Sequence, residues 1–512
     1  METTIARRCL AAALAIGLLG QALLYSTDLG INVPILAVLI LGSAFVVADW
    51  GRRLDPLDIW LPIAALVVPA GVALRSDPFT VLLDVATSAT LLGASMAALA
   101  GAAVTRRSAM AIVGLGFVVL AFVFGGIARL AMLAGRLPGE RPIRGSLPPA
   151  VVPILRGLLI ALPVVLVFVA LFSAADAVFA SIAERIFAWD IDLAAATERT
   201  VLALAITWVV GGLLAVAVGA DRLLGVAGAQ AEGPPPAMQS LGAAVAEPVP
   251  AWPRLGAVEA VTILASVVVL FAIFVGLQVA YLFGGLDTLA AAGITYSDYA
   301  RRGFFELVAV TLFAGGLVAA VHGVVERRTR AIVGSSVALA VLTFAILASA
   351  ALRLRLYQDA YGWTELRFFV YATIGWVAIA IVGGTVLLVR DRLNRLPHLL
   401  AVSAVAVLVA VNVVGAPRHV ADSNVARLLD PSLVPADGRR GLDVYYLIDL
   451  GDDAVPAMVR ALPALSAWEH AVVLDELERR WAALSTPHSA AWPAWNLARE
   501  RAREALRPLF DR

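Results

Sequence analysis

Twelve stretches of this chain are apolar over lengths that approach the roughly 20 residues an α-helix needs to cross a bilayer. They fall at residues 9–25, 33–48, 59–74, 79–104, 109–134, 151–174, 199–219, 257–283, 303–323, 331–355, 366–389 and 397–415. In hydrocarbon, backbone N–H and C=O groups must pair within their own segment or within a closed barrel. The alternating pattern of barrel strands does not occur, so helices are required. The expected fold is all-α: a polytopic transmembrane helix bundle of about 11 to 13 spans, followed by a small C-terminal soluble helical domain. Segment 59–74 is the weakest of the twelve, because it is short and holds Pro62 and Pro69, so a re-entrant path is its alternative.

Composition agrees and narrows the chemistry. Of the 512 residues, 61% are hydrophobic and 15% charged, against about 25% charged in soluble domains. All 39 basic residues are Arg, which excludes Schiff-base lysines and lysine-dependent phosphate loops. A net charge of +1 with no basic run argues against nucleic acid as a partner. The single cysteine, Cys9, permits neither an internal disulfide nor a thiolate metal cluster. The histidines at 322, 398, 419, 470 and 488 lack ligand spacing. No metal and no cofactor is expected. Arg7 and Arg8 before an apolar run imitate a secretory leader, but the small-residue match at Gly20–Ala22 is poor, so a retained first span is expected.

The expected organisation is an N-terminal membrane half (1–224), a flexible Gly/Ala/Pro linker (225–256), a C-terminal membrane half (257–415) and a soluble helical tail (416–512). In the tail, Asp452, Asp453 and Pro456 suit the first turn of a helix ending near Leu462, and Trp468–Leu484 forms a second. The stripes Val455, Met458, Val459, Leu462 and Val473, Leu474, Leu477, Trp481, Leu484 are expected to face each other. A third helix, Trp495–Arg507, is dense in Arg and Glu and closed by Pro508, and is expected to be the most exposed or to lie on the membrane surface. Membrane lipids are the expected partner, and the tail is expected to offer a surface to a protein partner.

Loop arginines orient spans, with the excess on the inner side. The loops holding Arg327, Arg328 and Arg330 and Arg390, Arg392 and Arg395 share one side, and loops 175–198, 284–302 and 356–365 share the other. The expected location is the cell inner (cytoplasmic) membrane, as a multi-pass protein. Asp84, Arg129 and Arg156 lie near span ends, where snorkelling accounts for them.

Two loops and their flanks concentrate polar groups. Tyr296, Asp298, Tyr299, Arg302 and Glu306 lie around the first, and Arg353, Tyr357, Tyr361, Glu365 and Arg367 around the second. Helical spacing puts Tyr299, Arg302 and Glu306 on one face, and Arg353, Tyr357 and Tyr361 on another. Because an intramembrane charge needs a partner, Glu306 and Arg353 are expected to pair; interfacial anchoring of the Arg and Tyr residues is the simpler alternative.

The stretches YLFGGLDTLAAAGITYSDYARRGFFEL (281–307) and SAALRLRLYQDAYGWTELRFFVYATIGW (349–376) resemble the bacterial membrane-protein family catalogued as domain of unknown function 4173. RGLLIALPVVLVFVALFSAADAVFA (156–180) and GLDVYYLIDLGDDAVPAMVRALP (441–463) look like further family elements, whereas VADSNVARLLDP (420–431) departs from the family pattern. The resemblance implies a membrane protein and carries over no activity or catalytic residues. Three functions follow as expectations: a non-enzymatic scaffold, sensor or support protein of the cell envelope; a transporter or channel for a solute or lipid; or a membrane enzyme acting on a lipid-linked anionic substrate. No catalytic motif selects the last.

Overall fold

In the computed structural model, the described residues are 2–48, 54–107, 109–135, 193–219, 256–283, 304–325, 327–436 and 438–511. They form helices and connecting turns. Nine described helical segments are long and apolar enough to cross a membrane. The chain is an all-α, multi-pass membrane protein.

Contacts divide the chain into two units, the first comprising Met1–Ala70, Ala86–Val245 and Pro487–Trp495, the second Gly71–Val85, Ala246–Thr486 and Asn496–Arg512. In the first unit, α1 (Glu2–Leu24) packs against α2 (Asn32–Val47), α6 (Ala109–Ala134) and α7 (Leu193–Ala217). Small residues allow this close approach: a Cβ on Gly126 would stand 2.9 Å from the Cα of Gly212. Segment 59–74 is broken into α3 (Trp60–Val67) and α4 (Ala70–Leu74), with Pro69, which lacks an N–H, at the break. Buried Asp58, preceding α3, accepts hydrogen bonds from the N–H groups of Val104 and Thr105, both 2.8 Å. These contacts tie the two ends that carry Asp55 and Arg106, themselves paired at 2.6 Å.

In the second unit, α8 (Ala257–Phe283) and α9 (Phe304–Val324) pack on α10 (Arg330–Tyr361), α10 on α11 (Glu365–Val389), and α11 on α12 (Leu396–Val414). Local chemistry sets the boundaries. Thr329 and Thr364 cap α10 and α11 through their hydroxyls, each accepting from a backbone N–H at 3.3 Å. Gly362, at φ +84°, turns the chain between them. α10 runs to Tyr361, about two turns beyond the span expected to end at 355, so Arg353 lies well inside a helix and not within a turn of its end. At the far ends of these helices, Arg328 of the α9–α10 loop forms an ion pair with Asp391 of the α11–α12 loop.

The tail begins directly after Gly415 with α13 (Ala416–Leu429), followed by α14 (Val444–Asp449), α15 (Val455–Ala461), α16 (Ala467–Leu484) and α17 (Leu497–Phe510). A capping box of Ser466 and Glu469 starts α16. Val455, Met458, Val473, Leu477 and Leu484 are buried in one core, as their spacing predicts. The pairing differs. α15 packs on α13 and α17, and α16 on α14 and α17, so α17 is an inner member of the set and not its most exposed helix. The reason is a stripe hidden among its charges: Ala498, Ala502 and Leu506 recur every four residues and are at most 2% exposed. Pro508 lies within the last turn of α17 without ending it.

Candidate functional site

The turn from α10 to α11 and the tail enclose a cavity of about 300 Å³. Tyr357, Tyr361 and Arg367 come from the membrane helices, and Arg427, Arg439 and Tyr446 from the tail. The walls are built from backbone geometry upward. Arg427 closes the C-terminus of α10, its Nη1 donating to the Asp359 carbonyl at 2.6 Å and its Nη2 to that of Ala360 at 3.2 Å. Asn424 clasps Trp363 twice, accepting from its N–H at 2.8 Å and donating to its carbonyl at 2.9 Å. The Glu365 N–H donates to the Tyr446 hydroxyl at 2.8 Å. Arg367 donates to the Gly362 carbonyl and stacks 4.4 Å from the centre of the Tyr357 ring, which lies 4.8 Å from that of Tyr361. The backbone N–H of Arg439 donates to the Ala360 carbonyl at 2.9 Å, while its exposed side chain lines the cavity.

Three guanidinium groups therefore border one space, against a single carboxylate among the described lining residues, Asp443. That carboxylate is already engaged as the N-cap of α14, accepting from the Tyr446 N–H at 3.1 Å. Burial and the nearby Arg367 both push the Arg427 guanidinium below its ordinary pKa, opposed by Asp359. The Tyr446 phenol is pushed up, chiefly by burial. The arrangement suits a multivalent anion: planar, fixed donors with aromatic walls, lacking only a negative charge.

Of the residues singled out from sequence, Tyr357, Tyr361 and Arg367 line this cavity. Arg353 is half-buried in α10 and is not among the lining residues, and Glu365 contributes its backbone. Tyr296, Asp298, Tyr299 and Arg302 lie outside the described residues, as does the side chain of Glu306, and with it the Glu306–Arg353 pairing. Arg156 also lies outside them, and Arg129 sits 4.3 Å from the centre of the Phe122 ring. Arg427 and Tyr446 lie in the stretches 420–431 and 441–463, but nothing in their spacing, or in that of Arg439, relates them to a turn 60 to 80 residues earlier.

A second cluster was missed entirely. Arg75, 3% exposed, follows α4 and inserts its guanidinium between the end of α12 and the tail. Its Nη1 pairs with Asp453 at 3.0 Å, its Nε donates to the Asn412 carbonyl at 2.6 Å, and its Nη2 to that of Val413 at 2.7 Å. A cation thus closes the carbonyl end of a helix, where the helix dipole favours it. Asp453 also accepts from the N–H and hydroxyl of Ser76, each at 3.2 Å. Asn496 caps α17 with its carbonyl oxygen and, through Nδ2, donates to the carbonyls of Val72 at 2.8 Å and Arg75 at 2.7 Å. Gly415 is required here: its φ is +76°, and a Cβ would stand 2.2 Å from Nη1 of Arg75. Burial pushes the Asp77 carboxyl above its ordinary range, a trend Thr80 opposes by hydrogen bonding. Asp84 is not a snorkelling residue either: it is fully buried and bonded to Asn412.

No curated protein and no solved structure matches the chain. A family model does match, over residues 62–461, a range that holds Arg75, Asp453 and every residue lining the cavity. It is not that of family 4173, which the two long motifs resemble. The chain belongs to the family described as domain of unknown function (DUF4153).

Proposed function

We propose that this protein is a non-enzymatic, multi-pass protein of the cytoplasmic membrane that senses or supports an envelope process by holding an anionic ligand between its membrane helices and its tail. The observation that carries this reading is the convergence of Arg367, Arg427 and Arg439 on one cavity where the carboxylate among the described lining residues, Asp443, is occupied as a helix cap. An acid–base role needs a carboxylate free to exchange protons with a ligand; binding needs only the donors. The arginine-rich loops with Arg328 and Arg390 stand at the opposite ends of α10 and α11 from the tail. By the loop-charge rule this favours a tail on the outer side of the membrane.

The purified full-length protein, melted with and without inorganic phosphate and with vesicles rich in anionic lipid, tests the reading. Stabilisation of the wild type by either anion, lost in Arg439→Gln with the ligand-free melting point unchanged, supports it. Equal stabilisation of both proteins, or of neither, refutes it.

A further inference from the structure

Asp84 lies two turns into α5 (Pro78–Leu99), an apolar helix long enough to span the bilayer, and is 0% exposed. Its Oδ1 accepts a hydrogen bond from Nδ2 of Asn412 on α12 at 2.7 Å. The same Nδ2 donates to the Leu408 carbonyl at 3.1 Å, which uses both of its hydrogens and fixes the amide orientation. Asn412 is 4% exposed, and its Oδ1 has no hydrogen-bond donor. Neither has Oδ2 of Asp84. These two orphaned oxygens flank one point: a Cβ on Gly71 would stand 2.3 Å from the first carboxylate's Oδ2 and 2.6 Å from the amide Oδ1. The carboxyl and carboxamide thus share one hydrogen bond, and the second oxygen of each, without a donor, borders the same point beside Gly71.

Two buried acceptors facing each other are unfavourable, and an ionised carboxylate with a single donor is more so. The charged groups around Asp84 do not relieve it. Asp77, the residue before α5, is a like charge. Arg75, beyond α4, is committed to Asp453 and to the carbonyls of α12. Asp453, from the tail, is that arginine's counter-ion, and Glu365 of α11 is a further acid on this side.

We infer that Asp84 is a proton-binding site, carrying a proton on Oδ2 that is donated to Oδ1 of Asn412, so that acid and amide close a two-rung ring linking α5 to α12. One proton satisfies both orphaned atoms and removes the buried charge. On its release to water the carboxylate is left facing the amide oxygen, the second rung is lost and the link between the helices weakens. The site is a protonation switch inside the membrane unit, independent of the anion cavity.

Infrared spectroscopy of the full-length protein in lipid nanodiscs, recorded in H₂O and D₂O, reads the proton directly. The expected wild-type spectrum at neutral pH contains a deuterium-sensitive carbonyl stretch of a protonated carboxylic acid that is absent in Asp84→Asn. In Asn412→Leu, which keeps the acid and removes its acceptor, the band should move to higher frequency. Should Asp84→Asn fail to fold, the shift in Asn412→Leu carries the test. A wild-type spectrum without the band, or a band unaltered in both variants, overturns the inference. So does a sodium-dependent rise in the wild-type melting point that Asp84→Asn abolishes, because the orphaned oxygens would then hold a cation.

Discussion

Replacing Arg75 by Gln should be among the most damaging single changes available to this protein. The guanidinium makes three hydrogen bonds to three acceptors, and both members of its ion pair are buried, with side chains 3% and 1% exposed. Removing one partner of such a pair costs about 3 to 5 kcal/mol. The carbonyls of Asn412 and Val413 lose their donors as well, at about 1 to 3 kcal/mol for each that water cannot reach. Asp453 keeps its two bonds from Ser76, which limits the total, so about 4 kcal/mol is the working figure. For a chain of 512 residues, at about 1 °C per kcal/mol, the melting point should fall by roughly 4 °C. Asp453→Asn, which retains a hydrogen-bonding partner for both Arg75 and Ser76, should cost about half as much. Tryptophan fluorescence of the detergent-solubilised protein follows the melt, with trypsin cleavage within 416–486 as a second readout. A drop of less than about 2 °C for Arg75→Gln, with cleavage unchanged, would refute the reasoning. So would strict additivity in the double variant, since directly paired groups must couple.

Two further outcomes are expected. With Cys9 replaced by Ser, a cysteine at Leu433 should react with a membrane-impermeant maleimide in intact cells, while one at Asn394 should react only after permeabilisation; the reverse pattern would place the tail inside. Ser466→Ala should lower stability by about 0.5 to 2 kcal/mol at neutral pH. The hydrogen bonds from Ser466 hold Glu469 below its ordinary pKa, so its contribution exists above that value and vanishes as pH falls through the carboxylate range. Melting from pH 7 to pH 3 should show the wild type and Ser466→Ala converging; a constant gap would exclude the capping box as the source.

The membrane helices were legible because each is a long apolar run, a signal carried within one segment. The tail helices were legible for the same reason: Asp452 and Asp453 do open a helical turn, and Ser466 and Glu469 start α16. What escaped was every relation between segments. Asp453 fits the start of a helix so well that nothing in the sequence hints at its role as counter-ion to Arg75, 378 residues earlier. α17 was judged exposed because Arg and Glu dominate its composition, although Ala498, Ala502 and Leu506 form a narrow stripe that a close-packed partner can use. Half of the anion cavity was legible, since Tyr357 and Tyr361 are one turn apart on α10 and Arg367 follows the turn. The other half arrives from α13 and the 438–450 segment, and no periodicity connects them. The family resemblance reached the class, an uncharacterised membrane-protein family, but not the family that the matching model names.

The Arg75–Asp453 contact has a temporal side. Its partners are 378 residues apart in the chain, and at about 5 to 20 residues per second of synthesis the arginine waits roughly 20 to 75 s for its counter-ion. Through that interval most of the membrane helices have been made, yet the cation beside α4 has no carboxylate and the carbonyls that it will close arrive only with α12. Insertion and completion are thus separate events in this protein. A nascent chain that stalls before residue 453 would carry an unneutralised arginine at the edge of its helices, a mark by which membrane quality control can tell an unfinished molecule from a finished one.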